Sequence, residues 1–394
     1  MKIIYLHQYF KTPEEGGAIR SYYIATALVK AGFEVEVITS HNNKKYQQKN
    51  IKGILVHYLP IYYNNTLGTL SRINAFLKFV FKSYALAKKI RKQNLSIPLL
   101  LYATSTPLTV GWVALRLKHR LDIPYFFEVR DLWPQAPIDM GVINNKWLKK
   151  YLFRLEKNIY QKAETIIALS PGIQQGIAKK TSPVKIKMVP NMADNSFFEE
   201  TEGWPKKEGK QFIISYLGTV GQANHLEYFL AIAQLVQEKE INQIQFWIVG
   251  DGKQLDSIRQ QARNLKNVVF KNPMNKQGVK TILNQSDATY TSFLQKTVLT
   301  TCSPNKFFDS LAAGKLTIVN TNGWLKDLVE TYKCGFYANP LAPEEFINKL
   351  MPFIEDKKKL ESYQQNARGL GLSRFDKEKL CQEVINLVKK HFSQ

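Results

Sequence analysis

The chain has 394 residues, 44% of them apolar, which is enough for two ordinary domains with separate cores. Cys302, Cys334 and Cys381 are odd in number and lack metal-ligand spacing, which argues against a disulfide framework and points to a reducing compartment. The net charge of +23 is uneven: 29 Lys/Arg stand against 11 Asp/Glu up to Asn195, a net of +18, and 26 against 21 beyond it, a net of +5. Such an imbalance implies an anionic partner: membrane headgroups, nucleic acid or a phosphorylated substrate.

The first half alternates strands and helices. KIIYLH (2–7) is an apolar run of buried-strand type. It leads into a helix over 18–32, strands at 33–40 and 54–60, and a long helix from about Ser71 to Lys92. Strands at 99–105, 124–131 and 165–170 follow, with helices at 109–120 and 146–162 between them. This order predicts a mostly parallel, doubly wound sheet. EETEGWPKKEGKQ (199–211) is polar, holds Gly and Pro, and reads as a linker. The pattern then restarts with strands at 212–218, 244–250, 268–270, 288–293 and 316–320, and helices at 225–238, 253–264, 276–284 and 303–315. The expectation is an α/β chain of two Rossmann-like domains, 1–195 and 196–372, facing a cleft, with a helical segment at 373–394 crossing back. In open α/β sheets ligands bind at the strand C-termini, and here both sheets aim those ends at the cleft. No segment reads as a signal peptide or a transmembrane helix.

Four stretches carry chemistry. In SPNKFFDSLAAGK (303–315), Ser303 suits an N-cap and Pro304 the first helical position. The helix tip offers unpaired N–H groups to a phosphate, Lys306 adds a cation, and Asp309, three residues on, can accept from a vicinal diol. A plain surface ion pair between Lys306 and Asp309 is the alternative. LGTVGQANH (217–225) follows a strand, and Gly218 and Gly221 allow close backbone approach to a ligand; a simple β–α turn would look the same. GDGKQL (250–255) has Gly250 and Gly252 but Leu255 where a dinucleotide fingerprint needs a small residue. GGAIR (16–20) opens the first helix.

The segments 7–40, FFEVRDLWPQ, VPNMADNSFF, SYLGTVGQANHLEYFLAIA, FWIVGDGKQLDSI and SPNKFFDSLAAGK, in that order and spacing, resemble the retaining glycosyltransferases of family 4, with their two-domain GT-B fold. The likeness covers nearly the whole chain and is greatest to bacterial members that build O-antigen and capsule polysaccharide, including fucosamine-transferase-like enzymes. It implies that the second domain holds a nucleotide sugar, UDP expected over GDP, without a catalytic metal. Gly16 and Gly17 would approach the diphosphate from across the cleft, with Arg20 meeting a phosphate and His7 bordering the acceptor. Arg130 and Asp131 stand near the place where many relatives carry a His; Arg130 would stabilise the leaving diphosphate, and Asp131 would orient Arg130 or a sugar hydroxyl. A buried Arg–Asp pair is the alternative there. Glu128 has no assigned role. Backbone donors from Gly218 and Thr219 to Gly221 and Gln222 would grip the diphosphate with Lys306. Gly250, Gly252 and Met274 would lie near the nucleotide and its base. Of the family's two glutamates separated by seven residues, Asp309 falls at the second and Thr301, uncharged, at the first, with Ser303, Asn305 and Lys306 supplying part of what is missing. Asn191 marks the domain crossover in a structural role.

TLSRINAFLKFVFKSYALAKKIRKQ (69–93) interleaves aromatic and aliphatic residues with Arg72, Lys78, Lys82, Lys88, Lys89, Arg91 and Lys92. Such a surface can lie on anionic lipid; a solvated basic helix on the sheet is the alternative. The favoured reading is a glycosyltransferase, cytoplasmic and peripheral on the inner face of the plasma membrane, acting on a polyprenyl-diphosphate-linked glycan. A nucleotide-sugar epimerase of the same fold would need no lipid contact. A nucleic-acid-binding role rests on charge alone, and no recognition motif accompanies it.

Overall fold

A computed structural model describes residues 1–64, 67–199, 209 and 211–393. The linker expected at 199–211 therefore lies, apart from Glu199, Gly209 and Gln211, outside the described residues.

Strands β1 (Lys2–Leu6), β2 (Glu34–His41), β3 (Gln47–Ile51), β4 (Ile54–Pro60), β5 (Leu99–Thr104), β6 (Tyr125–Val129), β7 (Thr165–Ala168) and β8 (Ile186–Met188) form one sheet in the order β3-β4-β2-β1-β5-β6-β7-β8. The pairings are parallel except β3 with β4. β1 sits between β2 and β5 and is buried along its whole length, as a continuous apolar strand must be when helices cover both faces. β3 and β4 join through Lys52 and Gly53, both at positive φ (51° and 84°), the geometry that a two-residue hairpin turn demands. β3 was not expected: QQKNI is polar and exposed, as suits an edge strand that must resist further pairing.

Strands β9 (Phe212–Leu217), β10 (Ile244–Val249), β11 (Val268–Lys271), β12 (Ala288–Thr291), β13 (Leu316–Val319) and β14 (Gly335–Tyr337) form the second sheet, ordered β11-β10-β9-β12-β13-β14 and parallel throughout. In each sheet the strand order reverses beside the first strand of the unit, and the cleft opens there.

The helix Lys357–Arg374 ends the second domain, and the chain returns at Asp376, whose carboxylate caps the last helix, Lys377–Phe392, by accepting from the N–H of Glu378 (3.1 Å) and Lys379 (3.2 Å). Leu380, Cys381, Val384, Ile385 and Val388 of that helix are buried in the core of the first domain, and Phe392 stacks on Phe33. Each such side chain contributes about 1.5–3 kcal/mol of burial. The two passages between the domains run side by side, bridged between Ala193 and Asp376.

Candidate functional site

The second domain's contribution is built on three strand ends. β9 runs into Gly218, β10 into Gly250 and β11 into the 272–275 turn. The first two loops are zipped together: Val220 N–H donates to the Asp251 carbonyl (2.9 Å) and Gln254 N–H to the Val220 carbonyl (3.0 Å). A Cβ at Gly250 would fall 1.9 Å from the Gly218 carbonyl oxygen, and one at Gly252 2.3 Å from the Val220 oxygen. Those two glycines are therefore required by the seam between the loops. Gly218 also spends its N–H, on the Val249 carbonyl (2.9 Å). The N–H groups of Thr219, Gly221 and Gln222 have no acceptor among the described residues.

The helix expected at 303–315 spans Asn305–Ala312, starting two residues later and ending three earlier. Pro304 takes the cap position with extended φ and ψ, and Ser303 does not cap. Instead the Ser303 hydroxyl accepts from Asn191 N–H (3.3 Å), and the Asn191 amide nitrogen donates to the Ser303 carbonyl. Ser303 thus ties the helix tip to the domain crossover.

Lys306 and Asp309 do not pair, which removes the surface ion-pair reading. The ammonium of Lys306 lies 3.8 Å from the centre of the Tyr216 ring, buried and without a hydrogen-bond partner. It faces Gly218, where a Cβ would come within 3.1 Å of Nζ. Burial pushes its pKa down to about 7. Asp309 turns the other way, into a crevice shared with Gly17, Tyr23, Met274 and Lys276. Its carboxylate accepts no hydrogen bond among the described residues, and burial pushes its pKa up to about 6, with Lys276 opposing and Asp194 adding to the rise. One cation and one carboxylate at a helix tip are thus both left without partners, beside free backbone donors.

Behind Asp309 sits a group that the sequence did not announce. Asp194 Oδ2 accepts from Lys276 Nζ (2.5 Å) and the Tyr23 hydroxyl (2.5 Å), and Oδ1 from Lys377 Nζ (2.6 Å). Burial alone would raise the Asp194 pKa, but Lys276 and its other donors hold it at about 2. The cluster joins four elements from both domains, so it is a mortise for the crevice wall. A lysine five residues past a strand end carries no sequence signal of its own, which is why Lys276 went unnoticed.

The first domain supplies the opposite wall. Gly16 and Gly17 have positive φ (71° and 86°); a Cβ on Gly16 would crowd the Met274 carbonyl at 3.1 Å, whereas Gly17 faces open space in the crevice. Arg20, expected to meet a phosphate, lines the same crevice, but its guanidinium is engaged by protein acceptors. Its guanidinium is buried, donating to Glu128 Oε2 (3.0 Å), to the Val189 carbonyl (2.9 Å) and to the Pro190 carbonyl. Glu128 also accepts from Tyr102 (2.8 Å) and Thr104 (2.8 Å). Burial works to raise the Glu128 pKa, and Arg20 and Arg130 outweigh it and hold the group ionised. The buried Arg–carboxylate pair of this wall, the alternative considered for 130–131, is formed by Arg20 and Glu128.

Arg130 follows β6 and directs one nitrogen toward His7 Nε2 (3.5 Å). Burial and Arg130 lower the His7 pKa well below its usual value, so the ring is neutral and its buried Nδ1 has no partner. Asp131 does not bridge to Arg130; its Oδ1 lies 3.8 Å from Cys302 Sγ. Arg130, Asp131, Asn191, Phe293, Cys302, Ser303 and Asn305 line a second crevice between the domains. Thr301 is outside it. The threonine donates to the Val298 carbonyl (2.7 Å), and its methyl packs on Gly172.

With this geometry in view, comparison with known proteins gives one consistent answer. Residues 15–192 match the glycosyl transferase 4-like domain family and residues 197–370 the glycosyl transferases group 1 family. Among solved structures, sucrose-phosphate synthase from Thermosynechococcus elongatus superposes with a TM-score of 0.77 at 16% identity, over 100% of this chain and 99% of that one. The chain is a glycosyltransferase of the GT-B fold. Anabaena Alr3699/HepE in complex with UDP and glucose gives a TM-score of 0.70 at 17% identity over 99% of this chain and 100% of that one. WaaG, a glycosyltransferase involved in lipopolysaccharide biosynthesis, gives 0.69 at 14% over 98% and 99%. No curated protein matches the sequence.

The outer face of this glycosyltransferase's first domain is also informative. On the helix Thr69–Gln93, Lys78, Lys82, Lys88, Lys89 and Lys92 are exposed, and Arg72 is half-buried. Arg91 is not free for lipid: one nitrogen donates to the Asn94, Leu95 and Ile97 carbonyls, closing the helix C-terminus. Leu70 (83% exposed), Ile73, Leu77 and Phe81 (67%) form an unpartnered apolar stripe at helical spacing. The helix Lys146–Lys162 adds Trp147 (80% exposed), Leu148 and Tyr151 beside exposed Lys146, Lys150 and Arg154. Both apolar groups lie toward the helix N-termini, which in a parallel α/β layer is the cleft end. Among the described residues no helix is long and apolar enough to cross a membrane.

Proposed function

We propose that the protein is a retaining glycosyltransferase that moves a sugar from a UDP-sugar to a polyprenyl-diphosphate-linked glycan, at the inner face of the plasma membrane, in bacterial surface polysaccharide synthesis. The observation that carries this reading is one short helix that bears a buried, unpaired ammonium at Lys306 and an unpaired carboxylate at Asp309. A diphosphate answers the first and a ribose diol the second. That solved structures of similar fold hold UDP or UDP-glucose supports the choice of base. O-antigen or capsule synthesis is the expected pathway class, in keeping with the lipopolysaccharide role of WaaG.

In the reaction, Lys306 and the N–H groups of Thr219, Gly221 and Gln222 hold the diphosphate, Asp309 and Asn305 set the ribose end, and Arg130 takes up charge that develops as the glycosidic bond breaks. No carboxylate stands at Thr301 to act as a nucleophile. The acceptor hydroxyl then attacks from the face the diphosphate leaves, passing its proton to a leaving phosphate oxygen, with retention. Lysine and arginine supply the positive charge, so catalysis is expected to need no metal. The basic, apolar-striped helices 69–93 and 146–162 would rest on anionic lipid and bring the lipid-borne acceptor to the cleft mouth.

A panel of UDP- and GDP-sugars, assayed by nucleotide release with and without a polyprenyl-diphosphate-sugar, tests the assignment. Acceptor-dependent release from a UDP-sugar, unaffected by EDTA, with an anomeric configuration matching the donor, is the expected result. Inverted product, or release that ignores the acceptor across the panel, refutes it.

A further inference from the structure

Four aromatic rings stand in a row at the cleft end of the first sheet. Tyr9 lies three residues past the end of β1, Tyr63 three past the end of β4 and Trp133 four past the end of β6, so parallel strands deliver all three to one end of the sheet. The helix Thr69–Gln93 brings the fourth, Phe76. The ring centres of Tyr9 and Tyr63 are 4.6 Å apart; Tyr63 and Phe76 are stacked at 6.3 Å, and Phe76 and Trp133 meet edge to face at 6.5 Å. Tyr63 and Trp133 rest on the core of the first domain, which fixes the row, yet all four rings are only half-buried.

The row changes character from outside to inside. On its helix Phe76 is one turn from Ile73 and next to Leu77, both exposed, so the rings continue the apolar stripe that faces outward. At the other end stand the Tyr9 and Tyr63 hydroxyls. Burial raises the Tyr9 pKa, Tyr63 adds to the rise and Arg72 opposes it, which puts the Arg72 guanidinium beside this hydroxyl. Tyr9 follows His7 by two residues and Trp133 follows Arg130 by three, and His7 and Arg130 meet at 3.5 Å. A sugar ring needs polar partners for the hydroxyls around its rim, whereas Phe76 is bordered by Ile73, Leu77 and two more rings. A hydrocarbon tail that ends in an anionic head matches both ends of the row.

We infer that the row is a track for the isoprenoid tail of the acceptor: the chain leaves the bilayer at the exposed stripe, crosses the four rings and delivers its diphosphate end to the cleft. This rests on the lipid-linked acceptor assigned under Proposed function, and goes beyond contact with a membrane surface, since the protein holds one chain at a time. Recognition then includes the first isoprene units, and a tail too short to reach Phe76 from the cleft is held poorly.

Calorimetric titration with pyrophosphate, geranyl diphosphate and farnesyl diphosphate, in saturating UDP so that the donor site is filled, measures the tail alone. Wild type should gain about tenfold in affinity at each lengthening, because a chain on an open track buries only part of its surface. Phe76→Ala should bring geranyl and farnesyl diphosphate to within about twofold of each other, while Phe76→Leu, which keeps apolar surface, should retain most of the gain. Vesicles of phosphatidylglycerol report bilayer contact separately: Phe76→Ala should bind them as wild type does, whereas Leu70→Ser/Phe81→Ser should lose the vesicles and keep the gain with tail length. The inference falls if affinity does not rise with tail length, if Phe76→Leu fails as fully as Phe76→Ala, as a sugar-stacking ring would, or if Phe76→Ala loses vesicles and tail together. A wild type that transfers only to lipid-free glycans removes the acceptor assignment first and this inference with it; one that uses a polyprenyl-linked acceptor yet shows no gain with tail length removes this inference alone.

Discussion

Two buried cations in the cleft, Arg20 and Lys306, are close in kind and opposite in circumstance. Arg20 has a carboxylate and two carbonyls arranged around its guanidinium. Lys306 has an aromatic face and nothing else. A satisfied buried charge reports on the fold, because its desolvation is already offset within the protein. An unsatisfied one reports on a ligand, because only an incoming anion completes it. By the same criterion Glu128 belongs to the architecture and Asp309 to the site.

The comparison can be broken at several points. The largest effect is expected from Arg20→Ala, which strands Glu128 in the core and should cost roughly 3–5 kcal/mol of stability in a denaturant titration; a mild loss of stability with a severe loss of nucleotide binding would reverse the roles assigned here. Lys306→Ala should do the opposite. Its thermal midpoint should equal or exceed that of wild type, while transfer falls roughly 10²–10³-fold, as for the removal of one preorganised charge-stabilising donor. For Asp309→Asn, nucleotide affinity should fall about tenfold with stability unchanged; full affinity would take the ribose contact away from this residue.

A smaller effect, and a sharper one, lies in the pH dependence. Asp309, pushed up to about 6, binds ligand hydroxyls best when ionised, so affinity should fall as pH drops below 6. Lys306, pushed down to about 7, holds a diphosphate best when protonated, so affinity should fall as pH climbs above 7. A UDP-sugar, whose phosphates do not titrate in this range, should show its tightest binding between the two. Binding above pH 7 should take up a proton, visible as a buffer-dependent enthalpy. A flat profile would mean that neither group touches the ligand.

The apolar runs of β1, β5, β9 and β10 made both sheets legible in the sequence, since a central parallel strand has to be apolar throughout. β3, β8 and β14 were not legible: the first is polar because it is an edge, and the others have only three residues. At the site, the sequence singles out Lys306 and Asp309 because a helix tip with opposite charges and small residues has few structural uses, and the structure leaves both without an ion-pair partner. The partner of Arg20 was not legible for a related reason. A cation after a glycine pair fits a phosphate loop equally well when it is bonded to Glu128, which lies 108 residues away. The sequence shows which groups are charged; their partners are set by tertiary contacts. The stripe at Leu70, Ile73, Leu77 and Phe81 was hidden for the same reason, since an apolar residue on a helix does not declare whether it faces the sheet or the solvent.

The last helix bears on how the protein can be taken apart. Its sixteen residues are encoded after the second domain yet complete the core of the first. The acceptor-side lobe is therefore discontinuous along the gene, and a fragment cut at the crossover would expose a greasy trough where Val384 and Val388 belong. The two crossings, at Ala193 and Asp376, are joined edge to edge by a parallel bridge, so the lobes share one narrow double-stranded connection.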